Sequence, residues 1–139
     1  MRALGVDLGT KRIGLATSDL SGTIATPLST VERTSSIRRD HATIARIAAN
    51  EEVEIVVVGL PITMSGVLGP AADAAKREAT TLGTVLDVPV ILFDERMTTV
   101  TADRVLKEAN ISASKRRQYV DRVAAAVMLQ TWLDRGCPR

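Results

Sequence analysis

Short apolar runs separated by turn residues open the chain and predict β-strands. The three predicted strands are Arg2–Leu8, Arg12–Ser18 and Ile24–Val31. Only Gly9-Thr10-Lys11 separates the first two runs, and Gly22 marks the turn before the third. Because neighbouring strands joined by tight turns pair with each other, this segment predicts an antiparallel meander.

Beyond the third run, helical and strand periodicities alternate. Ile37, His41, Ile44 and Ala48 fall on one face at helical spacing, and Ser35 or Ser36 is a candidate N-cap. Further along, β-branched runs predict buried strands, and alanine-rich or amphipathic stretches predict helices. In chain order these are a strand at Glu54–Leu60, a helix at Ala71–Leu86, a strand at Val88–Phe93, and helices at Thr98–Ala109 and Arg117–Arg135.

The resulting element order is β-β-β-α-β-α-β-α-α. Helical connections between the later strands imply parallel crossovers, whereas the first strands pair antiparallel. This order predicts an α/β protein with a mixed five-stranded sheet and helices on both faces, which is the ribonuclease H-like architecture. The 139 residues contain no repeat, low-complexity tract or linker, so a single domain over residues 1–139 is expected.

Composition excludes several classes of protein. Apolar residues make up 45% of the chain, which is incompatible with intrinsic disorder. No apolar run is long enough for a membrane span or a signal peptide, so we expect a cytoplasmic protein with no membrane association. The single cysteine, Cys137, excludes an internal disulfide and a cysteine-rich zinc site, and we expect it to be an exposed thiol on a frayed tail.

The formal net charge is only +2, but the basic residues are grouped. The groups are Lys11-Arg12, Arg38-Arg39, Lys76-Arg77 and Lys115-Arg116-Arg117. Such groups can bind phosphates, although charge alone favours an ordinary solvated surface. Since Phe93, Tyr119 and Trp132 are the only aromatic residues, a platform for base stacking is not expected. Any nucleic acid is therefore expected to be gripped by its backbone and shape.

Carboxylates stand at three positions that need an explanation. Asp7 lies inside an otherwise apolar strand, and Gly9 and Gly14 leave room near it for a ligand. Asp94-Glu95 directly follows a buried strand, at the sheet edge where α/β proteins bind ligands. Asp121 borders the buried face of the last predicted helix. The stripe predicted for that face is Val120, Val123, Ala124, Val127 and Met128.

Each carboxylate alone also has a structural explanation. Asp7 can close the first hairpin, Arg96 can pair with either acid before it, and Asp121 can pair with Arg117 or Arg122. Taken together, the carboxylates fit Mg²⁺ or Mn²⁺, and two such ions can promote phosphodiester hydrolysis. The only histidine, His41, belongs to a helical face and is expected to be a packing or surface residue rather than a catalytic one.

Four motifs in order resemble the YqgF family of pre-16S rRNA nucleases, also described as Holliday junction resolvases. They are D-L-G-T-K-R-I-G at 7–14, G-L-P at 59–61 with G-x-x-G-P at 66–70, D-E-R-M-T-T at 94–99 and D-R-V-A-A-A-V-M-L-Q at 121–130. Their order and spacing, and the chain length, also match, so the resemblance covers essentially the whole chain. It implies a ribonuclease H-like nuclease that trims the 5′ end of small-subunit rRNA precursor or cuts branched DNA.

The resemblance also implies the site. It identifies Asp7, Glu95 and Asp121 as the catalytic, metal-binding acids, and thereby selects Glu95 over Asp94. The candidate substrate contacts are Lys11, Arg12, Arg96, Arg116 and Arg117, with Ser65 and Gly66 in the loop Pro61–Gly69. The expected partner is a nucleic acid, and a homodimer is left open. One departure is Thr63, where the family often has asparagine.

Two competing functions remain at this point. D-L-G-T at 7–10 also resembles the phosphate loop of sugar kinases and the Hsp70 class, but those proteins close two domains around a nucleotide. A chain of one domain cannot form that cleft. The second is a non-catalytic RNA-binding ribosome-assembly factor that keeps the fold. The presence of all three acids argues against it, and metal-dependent cleavage separates the two functions.

Overall fold

The computed structural model describes residues 1–61, 69–94 and 113–139, and for 113–121 it describes the helical backbone. The five strands are β1 (Ala3–Leu8), β2 (Arg12–Ser18), β3 (Ala25–Glu32), β4 (Ile55–Leu60) and β5 (Val90–Asp94). The described residues form the helices α1 (Ile37–Asn50), α2 (Pro70–Gly83) and α3 (Ala113–Asp134). The helix predicted at Thr98–Ala109 lies outside the described residues.

The strands form one sheet in the order β3-β2-β1-β4-β5. Strands β1, β2 and β3 pair antiparallel, as tight turns between them require. Strand β4 pairs parallel with both β1 and β5, because α1 and α2 return the chain to the same end of the sheet. The predicted mixed five-stranded sheet is therefore confirmed.

Alternation along the strands divides the core into two layers. On one side, Leu4 and Val6 of β1 pack with residues of α1 and α2 such as Ile44 and Leu82. On the other side, strand residues pack against α3. This second layer contains Ala3, Ile55, Val57, Ala125, Leu129 and Trp132. Helices on both faces are thus confirmed. Because Trp132 is fully buried in this layer, its ring is not available to stack on a base.

The ends of several elements differ from the sequence predictions. Ser36, one of the two candidate caps of α1, accepts a hydrogen bond from the Arg39 amide at 3.2 Å. Helix α2 ends at Gly83 and not at Leu86. Leu86 still packs against the core, so its apolar side chain extended the helical pattern past the true end. Strand β5 begins at Val90, two residues later than predicted.

The buried face of α3 was predicted only in part. Val123 and Met128 are buried, whereas Ala124 and Val127 are only half-buried. The buried residues of this helix within the described side chains are Val123, Ala125, Ala126, Met128, Leu129, Trp132 and Leu133. The face differs because α3 is set by a close approach to β1 at Gly5, which turns Ala125 and Leu129 toward the sheet.

The C-terminal tail folds back on α3, so the expectation of an exposed thiol on a frayed tail is wrong. The Cys137 amide donates to the Trp132 carbonyl at 3.0 Å, and Trp132 Nε1 donates to the Pro138 carbonyl at 2.8 Å. Cys137 is half-buried against the α3 layer. Within the described residues, no helix is long and apolar enough to cross a membrane.

Candidate functional site

Asp7 is half-buried near the C-terminal end of β1, the central strand of the sheet. Ala3 belongs to the α3 layer, and a side chain at Gly5 would point directly at α3. Because side chains alternate along a strand, Asp7 faces α3 as well. Its carboxylate therefore lies on the face that α3 covers, at the end of the sheet where the parallel strands finish.

Glycines flank Asp7 on this face. Gly14 is its cross-strand partner on β2, and Thr30 is the partner of Gly14 on β3. On the other side, Gly59 of β4 follows Val58, which pairs with Val6. Since paired residues of neighbouring strands project to the same face, no side chain stands beside Asp7 on either neighbour. The two neighbouring strands therefore present only main-chain atoms beside Asp7 on this face.

Helix α3 lies unusually close to β1 two residues before Asp7. A Cβ atom added to Gly5 would lie 3.0 Å from Leu129 Cβ and 3.1 Å from the Ala125 carbonyl oxygen. A second tie fixes the helix along its length, since Gln130 Oε1 accepts from the Ala25 amide at 2.9 Å. These contacts determine how far the first turns of α3 extend over the end of the sheet.

A polar groove of about 340 Å³ opens between β3 and α3 on the same face as Asp7. Ser29, Thr30, Glu32 and Arg122 line it. Arg12, a predicted substrate contact, is half-buried and is the cross-strand partner of Glu32. The groove thus places hydroxyl groups and charged side chains on the α3 face, two strands from Asp7.

Of the predicted site residues, Asp7, Lys11 and Arg12 lie within the fully described residues. Glu95, Arg96, Ser65 and Gly66 lie outside them, and at Arg116, Arg117 and Asp121 only the helical backbone is described. Among the described side chains, no group of three His, Cys, Asp or Glu residues could hold a metal. Asp94 pairs with Leu60, and alternation along β5 directs it to the α2 face, opposite Asp7.

The loop that follows Asp7 is held at several points. The Gly9 amide donates to the Asp7 carbonyl at 3.1 Å, and the Arg33 amide donates to the Lys11 carbonyl at 3.1 Å. Arg33 Nε donates to the Gly9 carbonyl at 2.7 Å. Lys11 is exposed at the tip of this loop. The loop therefore exposes the Lys11 ammonium group close to Asp7 in the chain, while Arg33 holds the main chain of the loop in place.

Glu78 of α2 binds the Arg33 side chain that holds this loop. Sequence patterns did not indicate this role of Glu78. Its two oxygens accept from Arg33 Nη1 at 2.9 Å and Nη2 at 2.8 Å, and one of them also accepts from His41 Nε2 at 2.8 Å. Burial raises the pKa of Glu78, but the hydrogen bonds and positive charges of Arg33 and His41 outweigh it and hold that pKa below its ordinary value of 4.5. His41 is buried, as expected for a packing residue.

Comparison with known proteins identifies the family. The sequence model of RuvX, described as "Holliday junction resolvase", matches residues 1–135. The chain belongs to the RuvX family. A Myxococcus xanthus protein named "Putative pre-16S rRNA nuclease" is 49% identical over 138 residues, which cover 99% of this chain and 91% of that protein. A protein of the same name from Thermoanaerobacter pseudethanolicus is 47% identical over 135 residues, covering 96% of each chain.

A solved structure gives the fold independently. The RuvC protein of T. thermophilus, determined "in complex with Holliday junction substrate", superposes with a TM-score of 0.59. The match covers 99% of this RuvX-family chain and 97% of RuvC at 17% sequence identity. At that identity the likeness establishes the fold alone. The ribonuclease H-like architecture predicted from the element order is thereby confirmed.

Acidic pH should lower the free energy of unfolding of this RuvX-family chain through protonation of Glu78. Because its pKa is lowered in the folded state, its stabilisation is complete above the ordinary value of 4.5 and is lost as the pH falls through the folded pKa. We expect Glu78→Gln to cost about 2 kcal/mol of unfolding free energy at neutral pH. The difference from wild type should shrink below about pH 4. Urea unfolding across this pH range measures it, with the exposed Glu54→Gln as control. A difference that stays constant down to pH 3 would contradict the assignment.

Proposed function

We propose that this chain is a metal-dependent nuclease in which Asp7, Glu95 and Asp121 hold the metal. The observation that carries the proposal is the setting of Asp7: a half-buried carboxylate at the end of the central strand, flanked by glycines and covered by α3. The family and the relatives named as nucleases support it. A half-buried carboxylate between two glycine positions suits a ligand that brings positive charge.

The packing of α3 supports a shared site for Asp7 and Asp121. Ala125 contacts β1 at Gly5. From Gly5, Asp7 lies two residues further along β1, about 6.7 Å toward the end of the sheet. From Ala125, Asp121 lies one helical turn, about 6 Å, in the same direction, since Gln130 is tied to the opposite end of β3 at Ala25. Residues 7 and 121 therefore lie at similar distances from the Gly5–Ala125 contact, in the same direction along the sheet.

Glu95 is the natural third ligand on the same reasoning. Ile91 and Phe93 of β5 belong to the α3 layer, whereas Val90 packs on the other side. Alternation therefore directs Asp94 to the α2 side, away from Asp7. Asp94 is therefore poorly placed to be the third ligand, and we propose in its place the adjacent Glu95, which the resemblance also implied.

The donor set fits a hard divalent cation. Asp7 offers carboxylate oxygens, which Mg²⁺ and Mn²⁺ prefer, and the neighbouring positions 14 and 59 are glycines, which add no side chain beside it. When bound, two such ions would activate water and stabilise the leaving oxygen of a phosphodiester. The chain's own residues hold and orient: the three carboxylates supply negative charge, and α3 shields one side of the site.

For the substrate we propose a nucleic acid, with 5′-end processing of pre-16S rRNA in the cytoplasm as the first candidate. The names of the relatives favour this task, whereas the family description favours branched DNA. Exposed Lys11 and half-buried Arg12 would contact phosphates beside Asp7. The other proposed contacts, which lie outside the described side chains, are Arg96, Arg116, Arg117, Ser65 and Gly66.

A parallel cleavage assay tests the proposal. Labelled precursor rRNA and a labelled four-way DNA junction are each incubated with the protein in Mg²⁺, Mn²⁺, Ca²⁺ or excess chelator. We expect cleavage of one substrate in Mg²⁺ or Mn²⁺ and none in Ca²⁺ or chelator, because Ca²⁺ accepts the same oxygens with looser geometry. Full activity in excess chelator would contradict the proposed metal site. Tight binding of RNA without cleavage under any condition would instead favour the non-catalytic assembly factor.

A further inference from the structure

Three side chains from three separate elements meet behind the Gly9–Lys11 loop. Arg33 follows β3, His41 belongs to the first turns of α1, and Glu78 lies in the middle of α2. Arg33 and Glu78 are about 16% and 15% exposed, and His41 is almost fully buried. Neither the acids nor the basic groups of the proposed site include them. A function for these residues therefore has to come from the main chain that they bind, which is the Gly9–Lys11 loop.

Arg33 uses its planar guanidinium to join the loop to the helices. Nε donates to the Gly9 carbonyl at 2.7 Å, while Nη1 and Nη2 donate in parallel to Glu78. The main chain of Arg33 adds a bond to the Lys11 carbonyl at 3.1 Å. One residue thus fixes both ends of a three-residue loop. A lysine could not make the three side-chain bonds in this geometry, because only arginine presents donors in a rigid fork.

Glu78 in turn is held by the two helices. It projects from α2 and accepts from His41 of α1 at 2.8 Å. The preceding residue of α1, Asp40, is buried and accepts from both the amide of Thr34 at 3.1 Å and its hydroxyl at 2.8 Å. The segment that carries Arg33 is therefore anchored on both sides. Because the charge of Arg33 is engaged by a carboxylate, it is poorly suited to bind a substrate phosphate itself.

We propose that His41, Glu78 and Arg33 are positioning residues that fix the Gly9–Lys11 loop, so that Lys11 and Arg12 meet substrate phosphates while Asp7 holds its place. This role rests on the proposed nuclease function. It explains why a hydrogen-bonded ion pair occupies this end of the sheet, where an apolar contact would stabilise the fold as well. A small displacement of such a loop is enough to misplace a bound phosphate.

The test compares Arg33→Lys with Arg2→Lys in the full chain. Arg2 is a matched control, because its half-buried guanidinium also tethers main chain, donating to the Glu51 carbonyl at 3.0 Å, but at the other end of β1. Both variants should melt at lower temperature. We expect only Arg33→Lys to raise KM about tenfold with little change in kcat, and to speed amide exchange of Gly9 about tenfold. Glu78→Gln and His41→Gln should act in the same direction, and they keep the test open if Arg33→Lys does not fold.

The two readouts separate this proposal from the proposed function. Amide exchange needs no substrate, so it decides the loop's dependence on the network even if the wild type cleaves neither nucleic acid. In that case the nuclease proposal fails, and binding of the labelled junction and RNA replaces KM. If Arg33→Lys and Glu78→Gln lower the melting temperature but leave Gly9 exchange and KM, or binding, at the level of Arg2→Lys, the network is merely stabilising and the proposal is overturned.

Discussion

Asp7→Asn and Asp121→Asn should abolish cleavage, by a thousandfold or more, while leaving the fold as stable as before or more stable. An amide of the same shape cannot supply the anionic oxygen that a divalent ion requires. Packing is retained, because asparagine fills nearly the same volume as aspartate. Catalysis and stability are thus expected to change in opposite directions.

The stability part of this expectation follows from charge. Carboxylates held close together repel each other when no cation is bound. Removal of one charge reduces this repulsion and so stabilises the folded protein. The gain should disappear in Mg²⁺, because the ion stabilises only the chain that can bind it. Melting temperatures with and without Mg²⁺, together with cleavage rates, measure both parts. Glu95→Gln should behave in the same way.

Asp94→Asn is the matched control for these variants. Asp94 adjoins Glu95 in the chain, but alternation along β5 directs it to the α2 face, away from Asp7. We expect this variant to cleave at close to the wild-type rate. If Asp121→Asn cleaves normally, or if Asp94→Asn is as inactive as Glu95→Gln, the assignment of the acids is wrong.

The sheet could be predicted because its pattern is local. Each strand has its own alternation or β-branched run. The turn at Gly9–Lys11 is so short that β1 and β2 can pair only antiparallel. The element ends were harder, since tertiary packing decides them. Leu86 looked helical because it is apolar at the right spacing, yet it packs on the core from beyond the end of α2. The same holds for α3, whose rotation depends on a contact with Gly5.

Asp7 could be singled out from the sequence because a charge inside an apolar strand is unusual, and its role as a metal ligand stays a prediction. The support behind it could not be singled out, because Arg33, His41 and Glu78 are far apart in the chain and each looks like an ordinary polar residue of its element. Only the fold brings them together. The close approach of α3 to β1 did leave a weak signal, because a glycine inside a strand, here Gly5, often marks a close approach of another backbone. Here it marks where α3 crosses β1.

Gly5→Ala should therefore destabilise the fold and slow cleavage together. The added Cβ would lie 3.0 Å from Leu129 Cβ and 3.1 Å from the Ala125 carbonyl oxygen. Both atoms belong to the rigid part of α3, so the helix itself must move away from the sheet. Such overpacking costs roughly 1–3 kcal/mol, which exceeds the gain of about 0.5–1 kcal/mol from replacing a glycine in a strand.

The effect on cleavage follows from what α3 carries. A helix pushed outward at Ala125 also moves residue 121, one turn earlier, away from Asp7, so kcat should fall about tenfold or more. Gly83→Ala is the matched control, because its added Cβ would meet only Val90 Cγ2 at an ordinary 3.7 Å at the end of α2. That variant should be as stable as wild type or more stable, and fully active. Urea unfolding and cleavage rates of both variants decide the matter: if Gly5→Ala matches Gly83→Ala in both, then α3 does not set the geometry of the acidic site through its contact with β1.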